Sequence, residues 1–466
     1  YGYGLTPEIV NVAAQMQPNL IITVDNGIAS LDGVSAAKAL GIKVLITDHH
    51  LPAAELPAAD AIVNPNQPGC EFPSKNLAGV GVIFYVMTAL RTALKNSNWF
   101  AEAGVTEPNM AELLDLVALG TVADVAVLDR NNRILVQNGV QRIRAGRCRP
   151  GITALLEVAK RLPYNIVAND LGFSVGPRLN AAGRLDDMTH GILTLLTDDP
   201  HQARRYAEEL DNLNKDRRTI EQGMQQDAML VLNKLQAAEN ELPYGLCLTQ
   251  PEWHQGVIGI LASRIKDKFN RPVIAFASVE NDELKGSARS VKGVHIRDAL
   301  DAIAARHPHL IKKFGGHAMA AGLTIKRQYF EEFRCAFDAE VRVHLSEHDL
   351  RGEVISDGEL QQHEFELELA ELLREAGPWG QGFPEPVFDG EFVVVQQRVL
   401  QDKHLKLTVT PKGSRRPLDA IAFNIDPNEW LPKLSGAIRM AFKLDVNEYR
   451  GQRTVQLMVE HLEPIL

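Results

Sequence analysis

The sequence predicts a multidomain α/β protein: a doubly wound parallel sheet, a long connecting helix, a second α/β lobe and a small terminal β-barrel. Three observations carry that reading. Apolar, β-branched strands alternate with helical stretches over the first 70 residues. A polar, charged stretch nearly free of Gly and Pro covers residues 198–236. After about residue 345, short strand-like runs separated by turns take over. The chain of 466 residues is long enough for several cores. The expected boundaries are 1–196, 197–238, 239–346 and 347–466.

The first lobe is organised around residues 42–50, Ile-Lys-Val-Leu-Ile-Thr-Asp-His-His. A short β-branched run reads as a buried parallel strand, and it ends in Asp48, His49 and His50. One unit earlier, residues 20–27 repeat the pattern: an apolar strand, then Asp25, then a turn at Asn26-Gly27. Residues 29–40 between them are helical in composition, and Gly41 is a natural stop. In open α/β sheets, ligands collect beyond the carboxyl ends of the strands, where both groups fall. A helix is expected at 7–17 and a third strand at 60–64, with Pro52 and Pro57 forcing a loop after the His pair. Helices follow at 77–94 and 110–125, the second ending in Asp124.

The net charge of −10 predicts solubility and names no partner, so local sign reversals matter more. Residues 130–149 hold Arg130, Arg133, Arg142, Arg144, Arg147 and Arg149 with no Asp or Glu among them. Phosphate is one reading of that run, and a solvated helix face is an equal one. Residues 172–185 combine three glycines, Pro177, Arg178, Asn180 and Arg184, read as a loop whose arginines fork onto phosphate. Cys70, Cys148, Cys247 and Cys335 are far apart, which predicts free thiols in a reducing compartment and excludes a CxxC zinc site. The apolar run at 77–90 is too short to span a bilayer.

The second lobe begins near residue 242, with strands expected at 244–248 and 272–277. It carries Lys285-Gly286-Ser287-Ala288-Arg289-Ser290 and Phe314-Gly315-Gly316-His317. The small residues after His317 are read as the start of a helix close to an anionic ligand. Five runs at 387–395, 404–409, 418–422, 438–444 and 454–459 fit an oligonucleotide-binding barrel, and a β-sandwich adaptor fits nearly as well. Trp379 and Trp430 are read as core, because Pro and Gly neighbours suggest a structural corner.

Carboxylates and imidazoles at adjoining strand ends suit Mn2+ or Mg2+. Spacing alone does not separate that from satisfied structural polar residues. The combination of motifs does more. Val24-Asp25-Asn26-Gly27, Asp48-His49-His50, Gly120-Thr121-Val122-Ala123-Asp124 and Gly315-Gly316-His317 together resemble the DHH phosphoesterase superfamily. Residues 174–184, 251–259 and 377–386 narrow the resemblance to its bacterial single-strand-specific 5′→3′ DNA exonucleases, over essentially the whole chain.

The resemblance implies a DHH domain, a DHH-associated domain and an OB-type barrel. It implies two divalent cations, Mn2+ or Mg2+, with Asp25 between them and His49 and Asp124 completing one shell. Asp48 would hold His49 in its tautomer, and His50 would meet the scissile phosphate. Ser287 and Arg289 would bind a 5′-terminal phosphate, while Arg178, Asn180, Arg184 and His317 would contact the strand. A cleft between lobes would admit single strands only. The implied setting is a cytoplasmic monomer in DNA repair and recombination, releasing 5′-mononucleotides, with single-strand-binding protein and a RecQ-type helicase as partners and no membrane.

The family's opening Asp-x-Asp motif is absent, and Tyr1-Gly2-Tyr3 is no initiator sequence, so the expectation is a chain that starts inside a domain. A polypeptide truly beginning at Tyr1 would retain metal weakly and catalyse poorly, by ligand count. Two other functions stay open: a phosphodiesterase of short oligonucleotides or cyclic dinucleotides, and a metal-free DNA-binding scaffold.

Overall fold

The computed structural model describes residues 4–465 except 240, 402, 424, 426–429, 435 and 450, so Tyr1–Tyr3 lie outside the described residues. The chain forms two compact units, one of residues 1–177, 194–204 and 354–466, the other of 178–193 and 205–353.

In the first unit, β1 (Leu20–Val24), β2 (Lys43–Thr47) and β3 (Ala61–Val63) form a parallel sheet in that order. Val24 pairs with Thr47, and Thr47 with Val63, so the three carboxyl ends lie side by side. The helix Leu31–Ala39 crosses from β1 to β2, and Val34 and Ala37 bury against Val44 and Ile46. The helix Pro7–Ala14 starts at Thr6, whose hydroxyl accepts from the Ile9 amide, with proline at its first position. The helix Gly79–Asn96 and the helix Leu114–Ala123 follow, the latter ending at Asp124.

Residues 172–185 are helical and not a loop. A π-helix, Leu171–Val175, runs into the α-helix Gly176–Leu185. Their glycines serve packing: a Cβ on Gly172 would lie 3.1 Å from Val122, and one on Gly176 3.4 Å from the Ala123 methyl. The connecting helix spans Pro200–Glu239.

The second unit holds a mixed sheet of β4 (Leu246–Thr249), β5 (Val273–Val279), β6 (Glu283–Arg289), β7 (Lys313–Gly316) and β8 (Ala320–Lys326), in the order β4-β5-β6-β8-β7. Only β4 and β5 run parallel among these pairs. Gly315-Gly316-His317 opens a hairpin between β7 and β8, where the His317 amide donates to Ala320. The expected helix start is therefore absent. Ala320–Ala321 and Leu323 pair with β6 instead, and strand pairing outweighs what their small side chains permit.

The terminal runs are β9 (Phe388–Leu400), β10 (His404–Pro411), β11 (Leu418–Ala422), β12 (Ala437–Tyr449) and β13 (Gln452–Pro464). They close as β10-β11-β13-β12-β9, which decides for a barrel over a sandwich. Trp430 packs on the barrel core. Trp379 stacks on Phe383 at 5.0 Å and donates its indole N–H to Leu373.

Candidate active site

Asp25 follows β1 in a left-handed conformation, φ +62°, with its amide donating to Thr47. That conformation is costly for a residue with a Cβ and persists only where the surroundings over-determine it. Its neighbour Thr23 donates to the Asn26 carbonyl, and Thr47 donates to the Thr23 carbonyl. A second constraint comes from the helix Gly79–Asn96. A Cβ at Gly79 would lie 2.4 Å from Asp25 Oδ1, so the positive end of that helix touches the carboxylate only because Gly79 has no side chain.

The His pair follows β2. His49 Nε2 lies 3.0 Å from Asp25 Oδ1 and 3.6 Å from Asp124 Oδ2. Candidate ligand atoms of Asp25, His49 and His50 all fall within 4.8 Å of one another. Asp124 arrives from the end of its own helix, and the next residue, Val125, is left-handed at φ +56°. Val125 is β-branched, so this is a second strained position beside a site carboxylate.

Asp48 does something other than expected. Its Oδ1 accepts from His50 Nδ1 at 2.7 Å and from the amides of His49 and His50, while Oδ2 accepts from the Ile28 amide. It therefore fixes the ring of His50, not that of His49. The reason is local: Asp48 turns inward, 1% exposed, and only the second ring comes back over it. Burial opposes its ionisation, but the His50 ring and the three amides outweigh burial and pull its pKa down to about 2.

The donor set fits a hard divalent cation. Among the described residues, buried His49 Nε2 makes no hydrogen bond of acceptable geometry, although two carboxylates face it. Burial disfavours charge on that ring, yet Asp25 and Asp124 prevail and raise its pKa. Burial likewise raises the pKa of Asp124. A cation between these groups satisfies all of them at once.

The second unit contains a cavity of about 640 Å³ lined by Arg184, Ser287, Arg289, His254, Lys285 and the start of the helix Ile258–Phe269. Asp186 is the one acid in that lining among the described residues. Arg184 donates to the Gly256 carbonyl, and Arg289 to Ser287 Oγ. Arg178 is elsewhere. It is buried and bonded to Asp211 at 2.9 and 2.8 Å, so it is an internal ion pair and not an open contact for phosphate. Asn180 and His317 are exposed and outside the cavity lining. In the arginine run, Arg149 is tied to Leu195, Leu196 and Asp198, Arg144 to Ile166, and Arg133 lies over Phe383. Those three serve the fold.

Sequence reasoning missed Gly79, Asn64 and Asn66. Asn64 donates to the His50 carbonyl and Asn66 to the His49 carbonyl. Asn-Pro-Asn reads in sequence as a turn, and nothing in it says which carbonyls it will find.

Comparison with known proteins gives three matched blocks: the DHH family N-terminal domain over residues 4–121, the DHHA1 domain over 242–342 and the RecJ OB domain over 356–461. The single-stranded-DNA-specific exonuclease RecJ of Salmonella typhimurium is 56% identical over 464 residues, covering 100% of this chain and 80% of that protein. The chain belongs to the RecJ family. The crystal structure of RecJ from Thermus thermophilus in complex with Mn2+ superposes with a TM-score of 0.77 at 29% identity, over 99% of this chain and 64% of that one. The Mg2+ complex from the same organism gives 0.69 at 26% identity, over 99% and 70%. The chain thus spans about four-fifths of the curated Salmonella relative. No helix among the described residues is long and apolar enough to cross a membrane.

Proposed function

We propose that this RecJ-family chain is a divalent-metal-dependent exonuclease that degrades single-stranded DNA from the 5′ end and releases 5′-mononucleotides. The carrying observation is the convergence of Asp25 and Asp124 on His49 Nε2, a buried nitrogen that makes no hydrogen bond of acceptable geometry among the described residues. Asp25, His49 and Asp124 would hold two Mn2+ or Mg2+ ions, which supply an activated water and stabilise the leaving oxygen of an in-line displacement.

The side chains do the rest. Asp48 anchors His50 through Nδ1, so His50 presents Nε2 to the scissile phosphate. Gly79 lets a helix amino end approach the carboxylate cluster, where it offsets negative charge brought by the substrate. In the second unit, Ser287, Arg289 and Arg184 supply donors for a terminal phosphate, which supports the polarity. The barrel supports a long single strand over a dinucleotide. Repair and recombination, a monomeric cytoplasmic state, and single-strand-binding protein and a RecQ-type helicase as partners complete the reading.

The test uses the intact gene product with Mn2+ on 5′-labelled substrates. Labelled mononucleotide released from single strands, and not from blunt duplex, is expected. Faster hydrolysis of a dinucleotide than of a long strand would favour the short-substrate phosphodiesterase. DNA binding with no bound metal would favour the scaffold.

A further inference from the structure

Every backbone polar group of His49 and His50 is held by a side chain. Both amides donate to Asp48 Oδ1, at 2.7 and 3.1 Å. The His49 carbonyl accepts from Asn66 Nδ2 at 2.7 Å, and the His50 carbonyl from Asn64 Nδ2 at 2.9 Å. β2 ends at Thr47, so the ladder no longer fixes these two peptides. The two asparagines are themselves coupled, because the Asn66 amide donates to Asn64 Oδ1 at 2.7 Å. Asn64 is 1% exposed and follows directly on β3.

The segment that carries them is anchored as well. Lys75 Nζ donates to the carbonyls of Pro65 and Cys70, and Asn66 Nδ2 also donates to the Lys75 carbonyl. Ser74 donates to Asp129 Oδ2 at 2.7 Å, and Asn132 donates to the Asn76 carbonyl. Asp129 caps the helix Arg130–Arg144, just beyond the turn that carries Asp124. A continuous run of hydrogen bonds therefore joins the two chain segments whose side chains meet at His49 Nε2.

We propose that Asn64 and Asn66 are positioning residues that set the placement of the His49 and His50 rings, and that residues 64–76 hold those rings in register with Asp124. The His49 carbonyl and the His50 amide belong to one peptide plane, which is held at both ends. The planes on either side are each held at one, by the His49 amide and the His50 carbonyl, and together they restrict the Cα–Cβ directions of both residues. Each ring consequently starts from one backbone geometry. Partners at this remove from a metal are typically worth about 10–100-fold in affinity. The inference rests on the metal-centre reading above.

The experiment compares Asn64→Ala, Asn66→Ala and Gln67→Ala in the intact gene product. Gln67 lies on the same segment and donates to the Ile62 carbonyl without touching the His pair. Mn2+ affinity is measured by calorimetry, and amide exchange of the 45–52 peptide is followed in metal-free protein. The two asparagine variants should bind Mn2+ about 10–100-fold more weakly and exchange faster at His49 and His50. Gln67→Ala should match wild type in both. Unchanged affinity and exchange in Asn66→Ala would overturn the proposal, and so would an equal loss in Gln67→Ala, which would mark ordinary loop packing. If wild type itself binds no Mn2+, the metal reading fails, and the exchange arm alone decides whether the asparagines position the pair.

Discussion

The strand-end cluster of the first unit and the arginine-lined cavity of the second are built by opposite means. The first gathers two carboxylates about one half-enclosed imidazole and accepts left-handed backbone at Asp25 and Val125. The second gathers Arg184, Lys285 and Arg289 about a single acid among the described residues, and relieves crowding with glycine alone, with no left-handed backbone in its lining. A Cβ on Gly259 would lie 3.0 Å from both Arg289 Nη2 and Ser287 Oγ, and one on Gly256 2.5 Å from the Arg184 carbonyl. The first grouping is acidic and the second basic. The formal charge of −10 is a sum over both, which is why it reveals neither.

The comparison can be broken by moving the wrong property with the wrong residue. Asp25→Ala should have the largest effect. Removing a carboxylate that faces His49 Nε2 should cost several kcal/mol of transition-state stabilisation, about 10³-fold in exonuclease rate. Mn2+ binding should fall with it, while discrimination between 5′-phosphate and 5′-hydroxyl ends survives in DNA-binding assays. Gly79→Ala comes next. The new methyl must displace the Asp25 carboxylate, and a shift approaching 1 Å should lower the rate about 10²-fold. Wild-type Mn2+ affinity in that variant would show that the close approach has no functional weight.

Arg289→Ala should leave Mn2+ binding unchanged and reduce the preference for 5′-phosphorylated strands about tenfold, the loss of a charge-assisted hydrogen bond. Equal weakening with 5′-hydroxyl ends would place the terminal phosphate elsewhere. The smallest change in activity is expected for Asp211→Ala, which leaves the buried Arg178 guanidinium short of its partner and should lower stability by roughly 1–2 kcal/mol. Burial opposes charge on Asp211, but Lys215 and Arg178 outweigh it and lower its pKa. Its contribution is therefore complete above the ordinary carboxylate range and is lost as pH falls through the depressed value. Urea midpoints of variant and wild type should accordingly converge on acidification below about pH 4.

What could be read from sequence divides along the same line. The strand ending at Thr47 was legible because burial imposes a β-branched run. The one ending at Val24 was legible from its apolar run alone, since Leu20, Ile22 and Val24 are exposed, and in both the polar end stands out. The barrel was legible from spacing, although only hydrogen-bond closure separates it from a sandwich. The role of Asp48 was not legible, because the choice between two adjacent rings is made by which one folds back over the carboxylate. Arg178 misled for a similar reason: its partner Asp211 is 33 positions away, on another helix. Gly79 is one glycine among 35 until Asp25 is placed against it.

The stretch Trp379–Phe383 bears on how the molecule tolerates surgery. Gln381 accepts the Leu128 amide at 2.7 Å, Phe383 lies under Arg133, and a Cβ on Gly382 would fall 2.6 Å from Val127. These contacts grip the segment immediately downstream of Asp124. Engineers who cut the chain before this stretch to obtain a minimal nuclease would release the turn that aims the carboxylate, so the carboxyl-terminal segment is a splint for the Asp124 region as well as a surface of its own.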